Sequence, residues 1–203
     1  MERFPGSRYG CGRAPGEETT IGSRGYHHGN LRRVIIDAAV EAIAESGTDA
    51  WSLRELARRA GVSHAAPAHH FGDRAGLLTA IAAEGYARFA EALAAGGDDF
   101  LEVGVRYVRF ATEHPGYFEV MFRPELYRAD DPEVEAARAA ASGILRRGAR
   151  TLSTAPSRDE AAAIGAWSVV HGFAELWLSG NLPGDLGDPA EAARRVLRAL
   201  FDR

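Results

Sequence analysis

Two helix-start signals and one glycine, packed into residues 52–63, constrain this chain more than any other feature. Ser52-Leu-Arg-Glu55 is a capping box: the Ser hydroxyl can accept from an unpaired N–H of the first helical turn, and Glu three residues on can reach back to the Ser amide. Leu53, Leu56 and Ala57 give the helix that follows an apolar face. Gly61 ends it at a position suited to a left-handed backbone, and Ser63 is placed to cap a short third helix from His64 to His70. Helix, glycine-containing turn and short helix is the plan of a DNA-reading helix-turn-helix, and also of an ordinary helical hairpin. The outward residues bear on the choice. A helix entering a major groove ~12 Å wide needs small or hydrogen-bonding side chains on that side. His64, Ala65, Ala66, Ala68 and His69 meet the demand.

Hydrophobic spacing makes the remainder helical too. Leu31, Ile35, Ala38, Ala39, Ala42 and Ile43 recur at helical intervals from His28 onward, and Gly47 stops the run. Asp73 caps a fourth helix reaching about Ala95. Further helices are predicted over Phe100–Glu113, Tyr117–Phe122, Pro132–Leu152 with an Arg-rich exposed face, a capping box at Ser157–Glu160 opening a run to about Ser179, and Pro189–Phe201. No segment alternates with period two. The expectation is an all-α chain: a mobile, Gly/Arg/Pro-rich arm over residues 1–25, a three-helix DNA-binding domain over 26–74, and a larger helical regulatory domain over 75–203.

Composition narrows the function. Hydrophobic residues make up 46% of the 203, enough for a packed core. The net charge of −4 argues against indiscriminate nucleic-acid binding, but it is unevenly spread. Residues 1–74 carry 10 Arg against 9 acidic residues, whereas 75–203 carry 14 against 19. Five of the seven histidines also lie in the first stretch. This fits a small DNA-reading head on an acidic body. Cys11 is the sole cysteine, which excludes an internal disulfide or a Cys-rich zinc site. No apolar run is read as approaching the ~18–20 residues that span a bilayer, and residues 1–23 lack the apolar core of a secretory signal. The cytoplasm, with no membrane partner, is therefore expected. There is no nucleophile elbow, phosphate-cradling glycine loop or H-E-x-x-H pair, so no enzyme and no cofactor are expected. His69 and His70 are adjacent, and adjacent helical residues point apart, which disfavours a metal site.

Three motifs then act together. Tyr26-His-His-Gly-Asn-Leu-Arg32, Ser52-Leu-Arg-Glu-Leu-Ala-Arg-Arg-Ala-Gly-Val-Ser63 and His69-His-Phe-Gly-Asp-Arg-Ala-Gly-Leu-Leu78 resemble, in register over residues 26–80, the tetracycline-repressor family of bacterial regulators. The resemblance implies a three-helix head, a connecting fourth helix and a dimeric ligand-binding body. Carried over by position, it places Ser52 and Arg54 on phosphate or groove, His64, Ala65 and Ala66 facing the bases, His69 and His70 on the backbone or groove edge, and Arg74 on phosphate, with Ser63 also counted among the DNA-binding residues. Helix N-termini and Arg forks suit phosphate on physical grounds. Two residues depart from the family pattern. Ala68 stands where a Tyr hydroxyl usually reaches phosphate, and Pro67 is expected to remove the first hydrogen bond of the third helix.

The body holds most of the aromatics. Phe110, Tyr117, Phe118, Met121, Phe122, Trp167 and His171 read either as the lining of an apolar ligand chamber or as plain core packing. Trp167 and His171 lie four apart on one helical face. Ala166-Trp-Ser-Val-Val-His-Gly-Phe-Ala-Glu-Leu176 and Phe110-Ala-Thr-Glu-His-Pro-Gly-Tyr-Phe-Glu-Val-Met-Phe122 resemble a C-terminal subtype of the same family marked by Trp and His-Gly. The resemblance further implies a homodimer through the last two long helices, for which Val169, Val170, Phe173, Leu176, Trp177, Val196, Leu197 and Leu200 supply apolar surface. The function expected is a repressor, released from a palindromic double-stranded operator by a small hydrophobic effector.

Overall fold

The computed structural model describes the backbone of residues 24–150 and 159–201, and the side chains of 31–150 and 160–201. Within them the chain is helical throughout, with no strand: α1 (Arg24–Ser46), α2 (Leu53–Arg59), α3 (Ala66–Phe71), α4 (Arg74–Ala94), α5 (Phe100–Glu113), α6 (Pro115–Met121), α7 (Pro132–Ala149), α8 (Asp159–Leu178) and α9 (Pro189–Phe201). A short 3-10 turn, Pro124–Leu126, joins α6 to α7. The expected arm lies, up to residue 23, outside the described residues, and α1 begins at Arg24, ahead of His28. The capping Ser157 also lies outside them.

Aspartates start most of the later helices. Asp73 accepts from the Gly76 amide at 2.7 Å, Asp99 from Leu101 at 2.9 Å, Asp131 from Glu133 at 3.0 Å and Asp188 from Glu191 at 3.0 Å. Each satisfies an N–H that the first turn cannot.

The head is built on Ile35, Ile36 and Ile43 of α1, which close over Leu56 of α2, Phe71 of α3 and Leu77, Leu78 and Ile81 of α4. α4 then continues into the body, where Phe89 and Leu93 join Tyr107, Val108, Phe118 and Met121 in the same apolar cluster. Its most extensive packing is on α7; α5 packs chiefly on α9 and α8. Burying each of these large side chains contributes about 1.5–3 kcal/mol. Head and body therefore share one core through α4 and α6. Gly116 makes that possible: a Cβ there would sit 2.3 Å from the Val40 carbonyl oxygen of α1.

α8 needs a correction to the membrane reading. Glu160–Leu178 is, by length and composition alone, long and apolar enough to cross a bilayer, and little of it is buried. Its apolarity goes all round because one side packs on α5 and α7 while the other is left open.

Candidate DNA-binding face and ligand cavity

Ser52 caps α2 as its spacing requires, accepting from the Glu55 amide at 3.2 Å. The box stays half closed, because the Glu55 carboxylate turns to Arg58, whose Nε donates to it at 2.9 Å. Gly61 takes a positive φ of 64°, as expected of the turn. Ser63 does not cap α3. The helix begins at Ala66 without a side-chain cap, the Ala66 amide bonding to the Ser63 carbonyl at 3.0 Å. Pro67 explains the shift. It has no N–H, so the chain places it in the first turn, where none is needed, and the helix loses no bond. His69 still bonds to the Ala65 carbonyl at 2.9 Å.

The delayed start rotates one expected residue inward. Ala66 is only 6% exposed and packs with Phe71 in the head core, so it does not face outward. Ser52, Arg54, Ser63, His64, Ala65, Ala68 and His69 are exposed, and His70 is half-buried beside His69 and Phe71. Arg74 is already engaged within the head. Its guanidinium lies 4.5 Å over the Trp51 ring and donates to the Thr48 carbonyl, with Asp49 at 3.8 Å. It ties the loop before α2 to the start of α4.

A polar cluster joins head to body. Arg33 of α1 donates to Asp37 and to Glu84 of α4, and reaches the Tyr117 hydroxyl of α6 at 3.2 Å. Tyr117 donates to Glu84 at 2.8 Å, as does Arg88. Burial pushes the Glu84 carboxyl up, but Arg33, Tyr117 and Arg88 outweigh it and hold the group below the usual glutamate range. Burial likewise pushes the Tyr117 phenol up to about 12, so it remains a donor. Beside this, Glu119 accepts from the Thr48 amide at 3.2 Å, Arg123 donates to the Thr48 hydroxyl at 3.0 Å, and Arg128 pairs with Asp73 at 2.9 Å.

Between α4, α6, α7 and α8 lies a cavity of about 890 Å³. Three of the expected chamber residues line it: Met121, Phe122 and Trp167. Phe110 and Phe118 instead pack as core rings against Phe89 and Tyr107, and Tyr117 belongs to the head–body junction. His171 stands behind the wall. Trp167 donates its indole N–H to the Tyr107 oxygen at 3.1 Å, and Tyr107 hydrogen-bonds to His171 Nδ1 at 2.9 Å. Burial lowers the His171 pKa, opposed by Glu175. Sequence reasoning missed Tyr86 and Phe89 on the floor; its Arg-rich exposed face holds for Arg146 and for Arg150 at the C-cap of α7, which are exposed, whereas Arg138 is half-buried, and all three also line the cavity. The four-residue spacing of Arg138, Ser142, Arg146 and Arg150 was the available signal.

Large apolar side chains left open to solvent fall on α8 and α9: Ile164, Trp167, Leu176, Leu178, Val196 and Leu200, between 38% and 54% exposed. Val170 and Leu197, expected to point outward with them, are instead 5% exposed and fill the gap beside Gly104 of α5.

A helix-turn-helix head fused to a helical body is the architecture of a DNA-binding regulator. The family described as "Bacterial regulatory proteins, tetR family" matches residues 35–81, and "Tetracyclin repressor-like, C-terminal domain" matches residues 100–200. The chain belongs to the tetracycline-repressor family. It is 38% identical over 68 residues to the HTH-type transcriptional repressor AcnR of Corynebacterium glutamicum, a stretch covering 34% of this chain and 36% of AcnR. A solved protein of unknown function from Rhodococcus sp. RHA1 shares 31% identity at a TM-score of 0.71, over 89% of this chain and 98% of its own. A tetR-family regulatory protein from Rhodococcus RHA1 shares the fold, with 22% identity and a TM-score of 0.67 over 85% and 95% of the two chains.

Proposed function

We propose that this chain is a cytoplasmic, homodimeric repressor that leaves a palindromic operator when a small molecule enters the body cavity. One observation carries the ligand-coupled part. α6 presents Met121 to the cavity while Tyr117 and Glu119, on the same two turns, hold the head. A guest that displaces α6 must therefore disturb the contacts that set the head's angle. Moving such a device from 99:1 to 1:99 needs a preference of about 10⁴-fold for one arrangement.

The DNA-binding domain is read as the head through α3 and the start of α4, with Ser52, Arg54, Ser63, His64, Ala65, His69 and His70 toward DNA. Arg74 acts mainly by bracing it. The open apolar residues of α8 and α9 supply the dimer surface, and two heads about one helical turn apart match a near-palindrome. Trp167 and His171-Gly172 support the Trp/His-Gly subtype. The test is a mobility shift of the purified protein on DNA from upstream of its own gene, at two salt concentrations, against an unrelated duplex. Specific, salt-sensitive binding weakened by Arg54→Ala supports the reading. Identical affinity for every duplex sinks it.

A further inference from the structure

α7 and its C-cap lay a row of positive charge along the cavity, with Arg138 half-buried and Arg146 and Arg150 exposed. Arg138, Ser142, Arg146 and Arg150 share one helix face at four-residue steps, and all four line the void. Arg146 and Arg150 are like charges one turn apart, an arrangement that destabilises a helix. The dipole at the helix C-terminal end favours those two but does nothing for Arg138, three turns away. Among the described residues none of the three has a hydrogen-bond or ion-pair partner. Other helices fill the same spacing with acid, as in Arg33–Asp37, Arg88–Glu84, Arg106–Glu102 and Arg123–Glu119. Glu160 is the sole carboxylate among the described lining residues, against three guanidinium groups.

Apart from Glu160 at the start of α8, the facing walls have no polar groups to spare. Phe89, Met121, Phe122 and Trp167 are apolar there, and the Tyr86 and Tyr127 hydroxyls are committed to the Met121 carbonyl at 2.7 and 3.0 Å. A cation row over an aromatic floor, around about 890 Å³, is complementary to a guest with one charged end and a sizeable apolar body.

We infer that the cavity takes a single-headed amphipathic anion, with its carboxylate or phosphate on Arg138, Arg146 and Arg150 and its apolar body along Phe122 and Trp167. Arginine forks suit both headgroups. The inference deepens the ligand-responsive reading and rests on it only for the consequence of binding.

The test is calorimetric titration of the full chain with decanoate, monodecyl phosphate, decan-1-ol and decyltrimethylammonium, each below its micelle threshold. At least one anion binds about tenfold tighter than decan-1-ol, and the cation binds more weakly than the alcohol. The tighter anion identifies the headgroup. The double variant Arg138→Gln/Arg146→Gln erases the anion preference while decan-1-ol binding stays within about twofold. Arg147→Gln, beside the row but off the cavity, keeps the preference. Equal binding of anion and alcohol, no binding of any probe, or a preference that survives the double variant overturns the inference. DNA affinity measured on the same preparation separates the two readings. Anion preference without any loss of DNA affinity removes only the release mechanism; specific DNA binding without anion preference removes only the ligand class.

Discussion

Tyr117 donates a 2.8 Å hydrogen bond to Glu84, the same carboxylate that Arg33 grips from the head. Three helices thus meet on one acid: α1, α4 and α6. Tyr117→Phe keeps the ring and removes the donor. The lost bond to a charged, half-buried acceptor is expected to lower unfolding free energy by about 1–2 kcal/mol in urea titration. If α6 transmits ligand binding, the variant also shows a smaller change in DNA affinity on saturation with ligand. An unchanged urea midpoint would mean that Arg33 and Arg88 satisfy Glu84 without it.

Gly116→Ala tests the same junction by steric means. The added methyl would press on the Val40 backbone carbonyl at 2.3 Å, and backbone cannot swing aside as a side-chain tip can. α6 must lift from α1, at a cost of about 1–3 kcal/mol by analogy with overpacked cores. Gly104→Ala is the control. Its nearest neighbour would be the flexible end of Leu197 at 2.8 Å, so a smaller loss of thermal stability is expected. Equal losses would show that α6 has room to move.

Local chemistry made most of the fold legible. Ser52, Gly61 and Asp73 act where they stand, through bonds spanning three residues or one backbone angle, and their effects were readable from spacing. Ala66 was misplaced because a single proline displaced the start of α3 and turned the helix face. The site was less legible, for a different reason. Tyr117 has the spacing of a chamber residue, but Arg33 and Glu84 lie 84 and 33 positions away, and no periodicity reports such partners. The arginines of α7 read as a solvated face, and Arg146 is one, but that Arg138 and Arg146 also border a cavity is visible only once α8 is laid opposite them. Val170 and Leu197 fill a space that only the α5–α9 approach at Gly104 creates.

Arg54 and Arg74 should separate DNA affinity from head stability. Arg54 is exposed and makes no bond among the described residues. Arg54→Ala is expected to leave the melting temperature unchanged and to flatten the salt dependence of DNA binding by about 0.9 in log–log slope, the value of one lost phosphate contact. Arg74→Ala removes the Trp51 stack and the Thr48 bond, so a loss of about 1–2 kcal/mol of head stability is expected. A salt slope untouched by Arg54→Ala would take that residue off the phosphate backbone.

Leu200→Glu probes the open face of α8 and α9. The residue is 51% exposed, so the monomer fold tolerates the charge, whereas a self-pairing surface would bury two of them against each other. Sedimentation at micromolar concentration is expected to show a dimer for the parent chain and a monomer for the variant, with operator affinity falling in step. A variant that remains dimeric would place the twofold axis elsewhere.

His171 gives the fold a dependence on mild acid. Its Nδ1 pairs with Tyr107, whose phenol burial keeps protonated, and its Nε2 is 3.9 Å from Glu175. The rings of Trp167, Phe118 and Phe122 also pack against it. Burial sets its folded pKa below the ordinary 6.5, and Glu175 offsets part of that. As pH falls, the unfolded chain takes up a proton at about 6.5 that the folded chain still refuses, so unfolding gains. The contribution is complete above 6.5 and is lost as pH falls through the folded value. Thermal melts of the parent chain should therefore move down between about pH 7.5 and 5.5, and His171→Gln should flatten that decline. Glu84, held below the ordinary 4.5, acts with the same sign but in more acidic solution, so the two effects separate on the pH axis. Protonation makes Nδ1 a donor toward Tyr107, which accepts from the Trp167 indole at the cavity wall, and so changes the polarity of that chain of hydrogen bonds. Tryptophan emission should shift over the same interval in the parent and not in His171→Gln. Parallel melting curves for the two proteins would assign the acid sensitivity to other groups.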